Sequence, residues 1–187
     1  FLSPIPQPLP ESLAERLRPS RNPVVVIDHD FTSHGIPSIQ IFPPAFIHRL
    51  LDHLEKLGHR NIGCLNTQPD NPEIRDRINQ WRYWKEAHAV TGRLADHPVP
   101  VHDNPILKAH RVMTELLSGG MPETAWFCTT TPAAIGAMSA MLDQRLQPGR
   151  DIAICSANGE GLASMLNPPL TALEAKDPAP FITRCLE

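Results

Sequence analysis

Apolar positions along the chain alternate between short continuous runs and longer stretches at helical spacing. Residues 24–27, VVVI, form an unbroken β-branched run behind Pro23, the pattern of a strand buried on both faces. A polar turn and a second extended piece, residues 38–41, follow, after a Pro-rich opening at residues 4–10 and a short amphipathic helix at 11–17. Phe46, Ile47, Leu50, Leu51, Leu54 and Leu57 then recur at helical spacing, and Gly58 stands where a left-handed C-cap is wanted. Beyond it the pattern predicts a strand over 61–65, a helix over 73–87 with Ile74, Ile78 and Trp81 on one face, and a short strand over 99–101. Ile106, Ala109, Val112, Met113, Leu116 and Leu117 mark the next helix, closed by Gly119 and Gly120. A strand over 124–128, a helix over 131–145, a strand over 151–155 and a last extended segment over 170–174 complete the series. Strands alternating with helices of this length predict an α/β fold with parallel sheets covered on both faces. Two strands end in short polar residues, Thr129 to Thr131 and Ser156 to Asn158. In open α/β sheets the ligand crevice lies at such carboxyl ends.

Composition narrows the function. With 187 residues and 41% hydrophobic content, the chain can bury one good core or two small lobes. Its net charge of −3 offers no electrostatic footprint for a nucleic-acid backbone, so DNA contact would need a part outside this chain. The four cysteines, Cys64, Cys128, Cys155 and Cys185, show no metal-type spacing and read as free thiols in a reducing compartment. With no long apolar span and no leader pattern, the expectation is a soluble cytoplasmic protein without membrane contact. No cofactor is expected. His48, Asp52, His53, Glu55 and His59 lie within one helix and its cap, and His48 with Asp52 has the spacing of a metal pair. The apolar stripe of that helix faces elsewhere, so the group reads as a solvated face or dimer surface and no metal site is expected. There is no GxSxG elbow and no Cys–His pairing, so nothing marks an enzyme.

The series PVVVIDHD, HRLLDHLEKLGHRNIGCL, IRDRINQW, TPAAIGAMSAML, PGRDIAI and NPPLT resembles the ligand-binding core of the LacI/GalR transcriptional regulators, in the family's order, over about residues 23–177. The resemblance implies a periplasmic-binding-protein-like fold: two doubly wound parallel-sheet lobes hinged around a small effector. Residues 1–41 would be an N-lobe remnant with the first crossover, 42–174 the C-lobe, and 175–187 a return segment. The family's helix-turn-helix headpiece and the first two βα units of its N-lobe would precede Phe1, leaving that lobe incomplete. Expected partners are a small polar effector, operator DNA through the headpiece alone, and a second copy in a homodimer. Hinge motion would occur at crossovers near residues 38–42 and 170–175, where Pro43, Pro44, Pro168 and Pro169 limit bending. The alternative is a transport-type sugar-binding protein of the same fold.

Under the same resemblance, the effector contacts fall on Arg75, Asn158, Asp28, Thr130, Thr131 and Asp103. Asp28, at a strand end, could accept sugar hydroxyls or merely cap the following turn. Arg75 offers a planar fork for hydroxyls or a carboxylate, or is a solvated charge beside Asp76. Thr131 could equally be the N-cap of the helix it opens. Where relatives often carry carboxylates, this chain has Thr130 with Thr131 and Asn158 with Gly159, which points to an effector bearing a carboxylate or phosphate. Asp103 stands where the family often has an aromatic residue. Trp81 could stack on a ligand, although its phase puts it in the helix core.

Overall fold

Parallel pairing governs both sheets of this chain. The computed structural model describes residues 11–17, 24–27, 31–39, 42–174, 179–180 and 183. Two units divide the chain, residues 1–43 with 175–187, and residues 44–174. In the smaller unit, helix α1 (Glu11–Leu17) precedes strand β1 (Val26–Ile27), which pairs in parallel with β2 (Ser38–Ile39). Val26, Phe31 and Ile36 are buried together there, with Leu17 and Val24 against them. The Ser38 hydroxyl accepts the Phe31 N–H at 2.9 Å and so ties the intervening turn to the strand.

The larger unit runs α2 (His48–Lys56), β3 (Ile62–Asn66), α3 (Pro72–Ala87), β4 (Leu94–Asp96), α4 (Pro105–Ser118), β5 (Ala125–Cys128), α5 (Thr131–Asp143), β6 (Ala153–Ser156) and β7 (Thr171–Ala172). Its five strands lie in the order β4-β3-β5-β6-β7, and every neighbouring pair is parallel. Counted within the unit, this is the doubly wound order 2-1-3-4-5. The chain first steps outward from β3 to β4, then crosses back past β3 to β5. Right-handed crossovers in opposite directions put helices on opposite faces. Among the described residues, no helix is long and apolar enough to cross a membrane.

The elements form for local reasons. Asn71 caps α3 by accepting the Ile74 N–H at 2.9 Å, with Pro72 next, and Asn104 does the same for α4 at Ile106, with Pro105 next. After α2 the chain turns through Gly58 at φ 95°, a left-handed position that glycine occupies without a Cβ penalty. The strand expected at residues 99–101 is instead at Leu94–Asp96, paired with Cys64–Asn66. Pro98 and Pro100 flank Val99 and lack the N–H groups a ladder requires, so that stretch is loop.

One core forms around Trp126, Met113, Met141, Leu65 and Cys128, between the sheet and helices α4 and α5. By the alternation of the pleat, Cys64, Phe127 and Cys155, which share a register row, face the other way. On α2 and α3, Leu50, Leu51, Leu54, Ile74, Ile78, Trp81 and Trp84 are buried. Met138 is also buried in the first core, in keeping with a packing role. Cys64, Cys128 and Cys155 are free and fully buried, and burial pushes the Cys155 thiol up to about 12, which keeps it protonated and unreactive. Cys185 lies outside the described residues.

Helices α4 and α5 approach closely because α5 is made of small residues. A Cβ placed on Gly136 would lie 2.3 Å from the Ile106 carbonyl oxygen and 2.7 Å from the Ala109 Cβ. Helix propensity alone predicts that Gly136→Ala gains about 1 kcal/mol. Overpacking against backbone costs about 1–3 kcal/mol and should win. The expected result is a lower urea midpoint for Gly136→Ala, read by circular dichroism; a raised midpoint would show that α4 and α5 are not packed this tightly.

Candidate functional site

The doubly wound order places a topological switch point between β3 and β5, where the chain leaves β3 toward one edge and returns on its other side. The segments leaving β3, β5 and β6 at this edge carry Asn66 to Gln68, Thr129 to Thr131 and Ser156 to Asn158. Hydrogen bonds join them. Asn66, fully buried at the end of β3, accepts the Thr129 hydroxyl at 2.8 Å and the Gln68 N–H at 3.1 Å, and donates its amide to Asp96 at 2.8 Å. Thr67 donates to the Pro105 carbonyl at 2.9 Å, fastening β3 to the start of α4. The Gln68 amide donates to the Thr130 hydroxyl at 3.1 Å, and Thr131 donates its hydroxyl to the Asn158 carbonyl. Thr130 occupies the N-cap position of α5, yet neither threonine caps the helix with its side chain. The cap reading of Thr131 is therefore corrected: its hydroxyl bridges β5 to β6.

A buried arginine completes this edge. Arg77 on α3 donates from Nη1 to the Thr129 carbonyl at 2.7 Å and pairs with Glu73 one turn back. Burial pulls its guanidinium below the ordinary arginine value, and Glu73, followed by the charge of Glu160, raises it again. An arginine remains a cation in such a setting, so a positive group is fixed within hydrogen-bonding distance of the end of β5. Two further polar atoms are buried there without a hydrogen-bond partner among the described residues, Ser156 Oγ and Asn158 Oδ1. The Asn158 amide nitrogen donates to Glu160 at 2.8 Å. Buried polar atoms are rarely left unpaired, and ordered water or a ligand commonly supplies their partners.

The residues expected from sequence divide into three groups. Thr130, Thr131 and Asn158 meet at this edge as described. Arg75 does not join them: its side chain is 53% exposed and pairs with Asp70 at 2.6 Å. Asp103 is exposed in the turn before α4, and Asp28 lies outside the described residues. Trp81 is buried and donates its indole N–H to the Ile62 carbonyl at 3.3 Å, so it packs as core. Arg77, Asn66 and Gln68 were not singled out by the sequence reading. Helical phase would have found the first. Ile74, Ile78 and Trp81 define the buried stripe of α3, and Arg77, three residues after Ile74, falls on it, whereas Arg75 lies about 100° away.

Comparison with known proteins agrees with this geometry. A family profile described as "Periplasmic binding protein-like domain" matches residues 51–177. The HTH-type transcriptional repressor MelR of Bacillus subtilis is 27% identical over 154 residues, covering 80% of this chain and 45% of that protein. The HTH-type transcriptional repressor CytR of Escherichia coli is 25% identical over 153 residues, covering 81% and 44%. This chain thus spans about half the length of the curated relatives it matches. Among solved structures, the lac repressor dimer bound to operator and the anti-inducer ONPF superposes with a TM-score of 0.73 at 22% identity, covering 94% of this chain and 61% of that one. A PurR family transcriptional regulator from Vibrio parahaemolyticus gives a TM-score of 0.72 at 20% identity, covering 86% and 60%. The strand order and the extent of the match lead to one conclusion: the chain belongs to the periplasmic binding protein-like domain family.

Proposed function

We propose that this chain is the effector-sensing part of a LacI-type repressor, binding a small polar metabolite at the carboxyl ends of β3, β5 and β6. The observation that carries the reading is the convergence of Arg77, Gln68, Thr130, Thr131 and Asn158 at the switch point, where Ser156 Oγ and Asn158 Oδ1 are buried without a hydrogen-bond partner among the described residues. Binding there would act on operator affinity through movement of the lobes, transmitted to a helix-turn-helix part of the whole protein. Such a repressor would work in the cytoplasm as a homodimer.

The geometry also refines the effector. The sequence reading favours an anion because carboxylates common among relatives are missing. Yet Arg77 already pairs with Glu73, and Glu160 adds a second negative charge near it. A charge that is matched internally gains little from a further anion, while Gln68, the two threonines and Asn158 offer neutral donors and acceptors. The effector that fits is a neutral polyhydroxylated molecule such as a sugar, with sugar acids and phosphosugars as the competing class.

Calorimetric titration of the complete regulator with neutral sugars, sugar acids and phosphosugars tests both statements. Saturable binding of a neutral sugar with a change in operator affinity is expected. Tighter binding of the acids would overturn the neutral assignment, and absence of any response across the three classes would sink the sensing role. Two variants test the residues. Arg77→Lys keeps the charge but not the planar fork, and should weaken effector binding by about tenfold or more. Arg75→Ala should change affinity less than about twofold, since an exposed ion pair contributes little. A loss in Arg75→Ala with none in Arg77→Lys would reverse the assignment.

A further inference from the structure

Away from the strand ends, Asp52 and Glu55 on α2 and His88 at the C-cap of α3 each offer one ligand atom, and these atoms all lie within 4.8 Å of one another. We propose that these three residues form a zinc site that staples α2 to α3. Two carboxylates and an imidazole make a mixed oxygen and nitrogen donor set. Calcium and magnesium prefer all-oxygen sets, whereas zinc accepts imidazole with carboxylate, and with three protein ligands a water would complete its tetrahedron.

Each of the three side chains is already oriented by another group, as metal ligands usually are. The indole N–H of Trp84, a buried residue, donates to Asp52 Oδ1 at 2.7 Å, leaving the second carboxylate oxygen to serve as a ligand. Arg60 pairs with Glu55 Oε1, while Glu55 Oε2 is 2.7 Å from His88 Nδ1. The His88 ring is stacked on Trp84 at 4.3 Å between centroids, 19° from coplanar. Zinc would replace only the contact between Nδ1 and Oε2, taking the Nδ1 lone pair while the ring proton sits on Nε2. The indole and guanidinium contacts would persist as a second layer around the metal.

Placement supports a structural role. α2 and α3 run opposite to the parallel strands, so their C-terminal ends lie at the amino edge of the sheet, away from the carboxyl ends that carry the effector candidates. The site draws on residues more than thirty positions apart, and His48, which stands at metal-pair spacing from Asp52, is not among the three. Zinc that binds only the folded state raises stability by mass action.

Titration of metal-free complete regulator with zinc chloride tests the proposal, by calorimetry and by thermal unfolding. A saturable event of one zinc per chain and a higher unfolding temperature are expected, and cobalt(II) should show the visible absorption of a low-coordinate site. His88→Ala and Glu55→Gln should remove that event; circular dichroism in EDTA checks that each variant folds. Trp84→Phe, which keeps the aromatic packing and loses the N–H, should weaken binding about 10–100-fold. His53→Ala, on the exposed side of α2, should leave it unchanged. Absence of a one-equivalent event, or one that survives both His88→Ala and Glu55→Gln, would overturn the site.

Discussion

The parallel pairing of β3 with β5 is the constraint on which the larger unit depends. Ile62 to Leu65 lie beside Ala125 to Cys128 in exact register, although more than sixty residues separate them. To bring these strands together the chain must carry β4 to the outer edge and return past β3. That excursion puts the helices on opposite faces and opens the strand ends at the switch point. The seam is reinforced at its end by Asn66, which is fully buried and accepts from Thr129 across the two strands. The fold and the candidate site therefore share one physical origin.

Charge at this edge is handled by burial with a partner close by. Arg77 could not be buried alone, because desolvation of an unpaired guanidinium costs several kcal/mol. Glu73, one helical turn earlier, and the Thr129 carbonyl offset that cost and hold the fork in one orientation. The neutral amides and hydroxyls around it are constrained in the same way, since Gln68, Thr130 and Thr131 are engaged between segments. As the proposed effector site, an edge built like this would be preorganised, with little side-chain entropy left to lose on binding.

The two edges of the sheet carry different kinds of polar group. At the carboxyl edge the groups come from strand ends and the first turns of helices, where backbone N–H groups also point. At the amino edge they come from helix C-termini, where His88 and Arg60 meet Glu55 of α2. The guanidinium of Arg60 is favoured near the C-terminus of α2 by the macrodipole. Separation of the edges by the whole length of the strands lets one stabilise the fold without altering the other.

Much of the fold was legible in the sequence because its signals are local. The β-branched or apolar runs at β1, β3 and β5, the helical stripe of α2 and α4, and the motifs shared with LacI-type regulators each depend on neighbours a few residues away. The site was only partly legible. The meeting of Thr130, Thr131 and Asn158 at one edge is visible in the pattern because strand ends are, whereas the burial of Arg77 rather than Arg75 follows from helical phase and not from the motif that points to Arg75. The strand at 94–96 was missed because its apolar content is slight; β3 accepts it as an edge partner, and the prolines exclude the more apolar stretch beside it. Tertiary structure alone decided which polar groups are paired across β3, β5 and β6, and which carboxylates meet His88. Those partners lie 27 to 63 residues apart, and only the order of strands in the sheet brings them within hydrogen-bonding distance.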